Sequence, residues 1–224
     1  MAETYLMLKL LHIVLFVYWL GGDLGTFYAS RFVAKEGQSA EQRLTALKIM
    51  MGVDQGPRIC MALMLGPGIH MAYTIGLMQV PAWAMVATWL LCLVWLGMVL
   101  AIHFGHDKSY LSWLTRFDFN FRLLVIAACL YFAIQSLLGD KSLILADFIA
   151  WKLIVFAALV GCGLGIRLML KPFGPAFMQM LQQGPNPHLD AVIQGCLARA
   201  RPFVYLIWLG LLLNTALGMH LINP

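Results

Sequence analysis

The feature that most constrains this chain is a series of long apolar runs, separated by short polar or Pro/Gly-rich breaks. They cover residues 5–28, 58–79, 82–104, 119–138, 144–170 and 202–221. A helix rising 1.5 Å per residue needs roughly 20 residues to cross the hydrocarbon of a bilayer, and each run supplies about that length. In water, these surfaces would form apolar patches far larger than a soluble monomer tolerates. Composition agrees: 62% of the 224 residues are hydrophobic and 11% are charged, whereas soluble domains carry about 25% charged residues. The reading is an all-α fold: one polytopic membrane domain over residues 1–224, a bundle of six transmembrane helices.

The breaks carry the expected turn chemistry. Gly56-Pro57 precedes the second run, Gln79-Val80-Pro81 separates the second from the third, and Gly139-Asp140-Lys141 separates the fourth from the fifth. Residues 171–187, rich in Pro, Gly and Gln, form the longest clear interruption late in the chain. Two amphipathic pieces, 39–52 and 187–200, read as interfacial helices, with Arg43 and Lys48 available for lipid headgroups. Residues 5–28 lack a basic leader and a small-residue cleavage site, and so read as the first membrane helix rather than a signal peptide.

Orientation follows from the basic residues. Twelve Lys and Arg, from Arg31 to Arg201, fall on the side reached after the first, third and fifth spans, against Lys9, Lys141 and Lys152 on the other. The positive-inside rule therefore places both termini outside, with the protein multi-pass in a bacterial inner (cytoplasmic) membrane. The net charge of +5 is explained by this asymmetry, and no basic helix or aromatic-interleaved strand points to nucleic acid. Cys60, Cys92, Cys129, Cys162 and Cys196 are isolated, without a CxxC pair, and read as small packing residues. Residues 5–25 and 147–167 share a Lys-Leu start, but their glycines fall out of register, so no transporter-like repeat emerges.

Ionisable residues in membrane spans are costly and mark function by default. His12 lies about seven residues into the first span and His70 about eight before the outer end of the second. At 1.5 Å per residue both sit roughly 10–13 Å below the outer boundary, on sequential antiparallel helices. Two imidazoles at one depth suit the axial ligation of a haem iron. The plain alternative is that each hydrogen-bonds a neighbouring helix. Lys152, on the same side, would neutralise a haem propionate or snorkel to the headgroups, and His220 ends the sixth span on that face.

The inner half collects Asp23, Asp54, Arg58, His103, His106, Asp107, Asp118 and Arg122. His103 and His106 share a helical face without a third ligand at a fixed spacing, so a solvated helix end is the simpler reading. Asp23, within Gly21-Gly22-Asp23-Leu24-Gly25, is expected to pair with Arg58 or Arg122, as a structural ion pair or part of a proton path. No nucleotide-binding glycine loop, nucleophile elbow or zinc-protease motif occurs, so soluble-enzyme chemistry finds no support.

Leu8-Lys9-Leu10-Leu11-His12, followed by Trp19, Gly21-Gly22 and a basic exit at Arg31, resembles the first helix of a membrane superfamily. That superfamily includes the bacterial haem-containing protoporphyrinogen oxidases and the copper-resistance D-type membrane proteins. Trp151-Lys152-Leu153 is similar to an Ala/Trp-Lys-Leu helix of the oxidases. The resemblance implies that His12 is a haem ligand and Lys152 a functional lysine. The oxidases are shorter bundles, and their Arg-x-x-Asn-Glu stretch has no counterpart here, so their specific activity does not transfer.

The leading expectation is a membrane redox protein holding haem b between His12 and His70, with Lys152 on a propionate. It would exchange electrons with a quinone or porphyrin-like substrate and a redox partner protein, as a membrane subunit or a homo-oligomer. The alternatives are a copper or small-solute transporter, and a structural or assembly protein whose histidines only pack.

Overall fold

The computed structural model describes residues 2–105 and 108–222. Among them there are eight α-helices and no strand: α1 (Ala2–Val33), α2 (Ala40–Leu63), α3 (Leu65–Thr74), α4 (Ala82–Phe104), α5 (Leu111–Leu137), α6 (Asp147–Met169), α7 (Phe173–Gln183) and α8 (Pro187–Gly218). The expected all-α membrane bundle is what the chain forms. Five segments are long and apolar enough to cross a bilayer: α1, α4, α5, the α6–α7 stretch and α8. In α1, only 17% of the most apolar window is buried by protein, and Leu6, Met7, Leu10, Val17 and Tyr18 are exposed. Such a surface suits hydrocarbon rather than water.

The second expected span, 58–79, is not one helix. It consists of the last part of α2 and all of α3, interrupted at Met64, and helix ends at Thr74. Pro67 has no N–H for the preceding turn, which accounts for a break at this point. The pair still runs antiparallel to α1 over its full length. Val33 contacts Arg43 at one end, Gly22 meets Pro57 in the middle, and His12 meets Gly68 near the other. A Cβ on Gly22 would come within 2.5 Å of the Pro57 ring, so this glycine sets how closely α1 and α2 approach. With α2–α3 as the sixth pass, both termini lie at the same end of the bundle.

The central core gathers around Trp95 of α4, which is fully buried, with Trp19, Met61, Phe156, Val160 and Leu211 among its neighbours. At the end that the charge asymmetry assigns to the outside, called the outer end below, the α3–α4 and α5–α6 turns clip together. The Gln79 amide donates to the Leu143 carbonyl at 2.9 Å, and the Leu145 amide donates to the Leu77 carbonyl at 3.0 Å.

The inner end corrects two expectations. Residues 39–52 and 187–200 do not form separate interfacial helices but are the first halves of α2 and α8. The polar interruption at 171–187 holds a helix of its own, α7. Together with the end of α1, these pieces bury Val33, Phe177, Met180, Leu189 and Ile193 in a small second core. Arg43, expected among headgroups, is instead fully buried, ion-paired with Asp190 and donating from Nε to the Val33 carbonyl at 2.8 Å. A capping box of Ser39 and Gln42 starts α2, and Asn186 followed by Pro187 starts α8.

Candidate functional site

His12 sits about three turns into α1, pressed onto the α2–α3 break at Gly68. A Cβ added at Gly68 would come within 3.2 Å of its Cε1, so the absence of a side chain there makes room for the ring. The Met64 carbonyl and the Lys152 side chain are the polar groups bearing on the imidazole. Its Nδ1 is buried without a hydrogen-bond partner. Lys152, in the first turns of α6, lays its ammonium against Gly218 near the end of α8, where a Cβ would lie 2.8 Å from Nζ. The α2–α3 break thus meets His12 of α1, and Lys152 of α6 acts on it electrostatically.

His70 is not brought to that site. Gly68 faces His12, and at 3.6 residues per turn His70 points about 200° away on α3. It turns to α4, where Trp89 Nε1 donates to its Nδ1 at 3.3 Å and the two rings meet edge to face at 6.3 Å. The expected axial pair therefore does not face a common site. His220, also on the outer face, packs its ring on Phe148 at 4.7 Å.

The expected pairing of Asp23 with Arg58 or Arg122 does not form. Arg58 donates from Nε to Asp54 at 2.7 Å, and Arg122 from Nε to Asp118 at 3.0 Å. Asp23 keeps a buried oxygen without a hydrogen-bond partner. Its flanking glycines serve the α1–α2 contact, and both guanidiniums find closer carboxylates on their own helices.

What sequence reasoning missed is the closure of the Asp118 cluster by α6. Arg167 donates from Nη2 to Asp118 at 2.8 Å, so a fully buried carboxylate holds two guanidiniums and ties α5 to α6. Arg122 also lies 5.4 Å over the Trp95 ring and reaches Met61 Sδ at 3.6 Å. The i,i+4 spacing of Asp118 and Arg122 signals the first half of this cluster. The partnership with Arg167 depends on helix order in space. His103 packs its ring on Phe104 at 4.8 Å, and its expected neighbours His106 and Asp107 lie outside the described residues.

Among the described residues, no three His, Cys, Asp or Glu side chains gather as a metal-ion site. The chain matches no protein-family model, no curated protein and no solved structure.

Proposed function

We propose that this chain is a haem-b-binding redox protein of the membrane, with His12 as the iron ligand and Lys152 as the counter-charge to a propionate. The observation that carries the reading is the environment of His12. An imidazole in the interior of a membrane bundle has a buried nitrogen without a hydrogen-bond partner, and the charge of Lys152 acts on it. A polar atom left without a partner at this depth is expensive unless it serves a ligand. Neutral imidazole is a good ligand for haem iron.

Of the two expected ligands, only His12 remains a candidate. His70 accepts the indole proton of Trp89 at Nδ1, which leaves its own proton on Nε2 and no lone pair there for iron. The proposal therefore differs from the bis-histidine expectation. Haem bound here would supply a one-electron carrier in the outer half of the bilayer. The protein's part is to orient the ring with His12, neutralise an acidic edge with Lys152, and exclude water with the packed ends of α1, α6 and α8.

The test is optical. Protein purified in mild detergent is recorded oxidised and dithionite-reduced, alongside His12→Ala and His70→Ala. The reading expects a sharp reduced haem-b α-band that His12→Ala abolishes and His70→Ala preserves. A protein that stays colourless after haem is supplied during expression would overturn it. So would a band indifferent to His12→Ala.

A further inference from the structure

Towards the inner end, α1 and α8 meet through three aromatic rings. Phe27 of α1 stands 5.6 Å from Tyr205 and 5.2 Å from Trp208, and the two α8 rings lie 5.6 Å apart. The cluster is not sealed in the core, because Tyr205 is 51% exposed. Tyr and Trp concentrate at headgroup level, where an apolar ring and a polar tip are both accommodated.

An arginine from each helix flanks these rings on the inner side. The Arg31 guanidinium lies 5.5 Å over the Phe27 ring. Arg201 precedes Tyr205 by one turn, on the same face of α8. Because α1 runs towards the inner end and α8 away from it, both arginines lie on the inner side of the rings. Helical side chains lean towards the N-terminus of their own helix, so on these antiparallel helices Arg31 and Arg201 lean towards one another's level. Both are exposed, and neither is paired with a carboxylate among the described residues. Acids of this end are engaged elsewhere: Asp190 holds Arg43, Asp54 holds Arg58, and Glu36 accepts from Gln194.

We infer that the α1–α8 seam binds an anionic phospholipid, with the Arg31 and Arg201 guanidiniums on its phosphate. Two unpaired guanidiniums call for an anion that accepts hydrogen bonds from both, and a phosphodiester does so. The ligand must also continue into hydrocarbon. Leu24 and Val17, two and four turns before Arg31 on one face of α1, are exposed and offer a track for an acyl chain. A zwitterionic headgroup brings its own cation to the phosphate, so the net negative lipids are favoured. Basic sites between membrane helices take anionic headgroups in this way. The inference goes beyond the redox reading and does not depend on haem.

The experiment is a calorimetric titration of delipidated, full-length protein in a mild nonionic detergent with short-chain phosphatidylglycerol. Phosphatidylcholine of the same chain length and inorganic phosphate are titrated in parallel. Saturable binding of phosphatidylglycerol is expected, with phosphatidylcholine weaker and inorganic phosphate weaker still. Arg31→Gln with Arg201→Gln should weaken phosphatidylglycerol roughly twentyfold, since each basic side chain near an anionic headgroup contributes about a fivefold gain. Arg31→Lys with Arg201→Lys keeps both charges and should bind within a few-fold of the parent, which separates loss of charge from loss of fold. Arg116→Gln with Lys171→Gln removes the same charge from exposed positions on other elements and should leave the affinity within about twofold. Equal affinity for the two phospholipids would overturn the inference. So would an equal loss in both neutralised pairs, which means diffuse charge only, or inorganic phosphate binding as tightly as phosphatidylglycerol, which means a free-anion site.

Discussion

The inner and outer halves of this bundle differ in how their charged side chains are partnered. In the inner half, charge meets charge. Asp118 holds Arg122 and Arg167, Asp54 holds Arg58, and below them Arg43 is closed onto Asp190 and the Val33 carbonyl. In the outer half, His12 keeps a buried nitrogen without a partner and has no carboxylate paired with it among the described residues, and Lys152 acts on it electrostatically. Ion pairs between helices fix a fold, even though Asp23, Arg43, Asp118 and Arg167 of the inner half each keep one buried atom without a hydrogen-bond partner. The inter-helix ion pairs give the inner half an architectural role, while the proposed haem site lies at His12 in the outer half.

Substitutions should separate the two roles. The largest effect is expected from Asp118→Ala, which strands two guanidiniums inside the bundle. Removing one partner of a buried pair costs about 3–5 kcal/mol, and the thermal midpoint in nanodiscs should fall accordingly. Arg43→Ala, leaving Asp190 unpaired in the second core, should fall near the lower end of that range of about 3–5 kcal/mol in the same assay. Gly22→Ala drives a methyl into the Pro57 ring and should cost about 1–3 kcal/mol, a typical overpacking penalty, without altering any haem spectrum. The smallest effect on stability is expected from His12→Leu. Exchanging an unsatisfied polar group for an apolar one of similar size is nearly neutral, within about 0.5 kcal/mol, yet haem retention should vanish. If His12→Leu destabilised the fold as much as Asp118→Ala, the division between the halves would collapse.

Much of the fold was legible because hydropathy reports what faces lipid. The 82–104 run coincides with α4, and α6 lies within the 144–170 run. The misses share one physical cause. Where a polar-looking segment packs against protein rather than lipid, hydropathy does not register its burial. The first halves of α2 and α8 therefore read as interfacial pieces, although Leu44, Leu47, Val192 and Ile193 pack into the second core. Arg43 read as a headgroup contact because the acid that neutralises it, Asp190, lies far along the chain.

Residue counting reports position along a helix, not the direction a side chain takes. It placed His12, His70 and Lys152 in one half of the bundle, and Lys152 acts electrostatically on His12. The azimuth of His70 depends on how α3 is rotated once Gly68 has been taken up by the His12 ring. That rotation is set by packing against α1 and α4. Spacing within α3 alone does not reveal it.

The central claim is that His12 is kept unsatisfied in order to hold a haem. It is tested most directly by titrating haem into haem-free protein in nanodiscs and following the Soret band, for the parent and for His12→Leu. The account predicts saturation at a single equivalence point for the parent and no specific Soret shift for the variant. Equal saturation in both, or none in either, would contradict it.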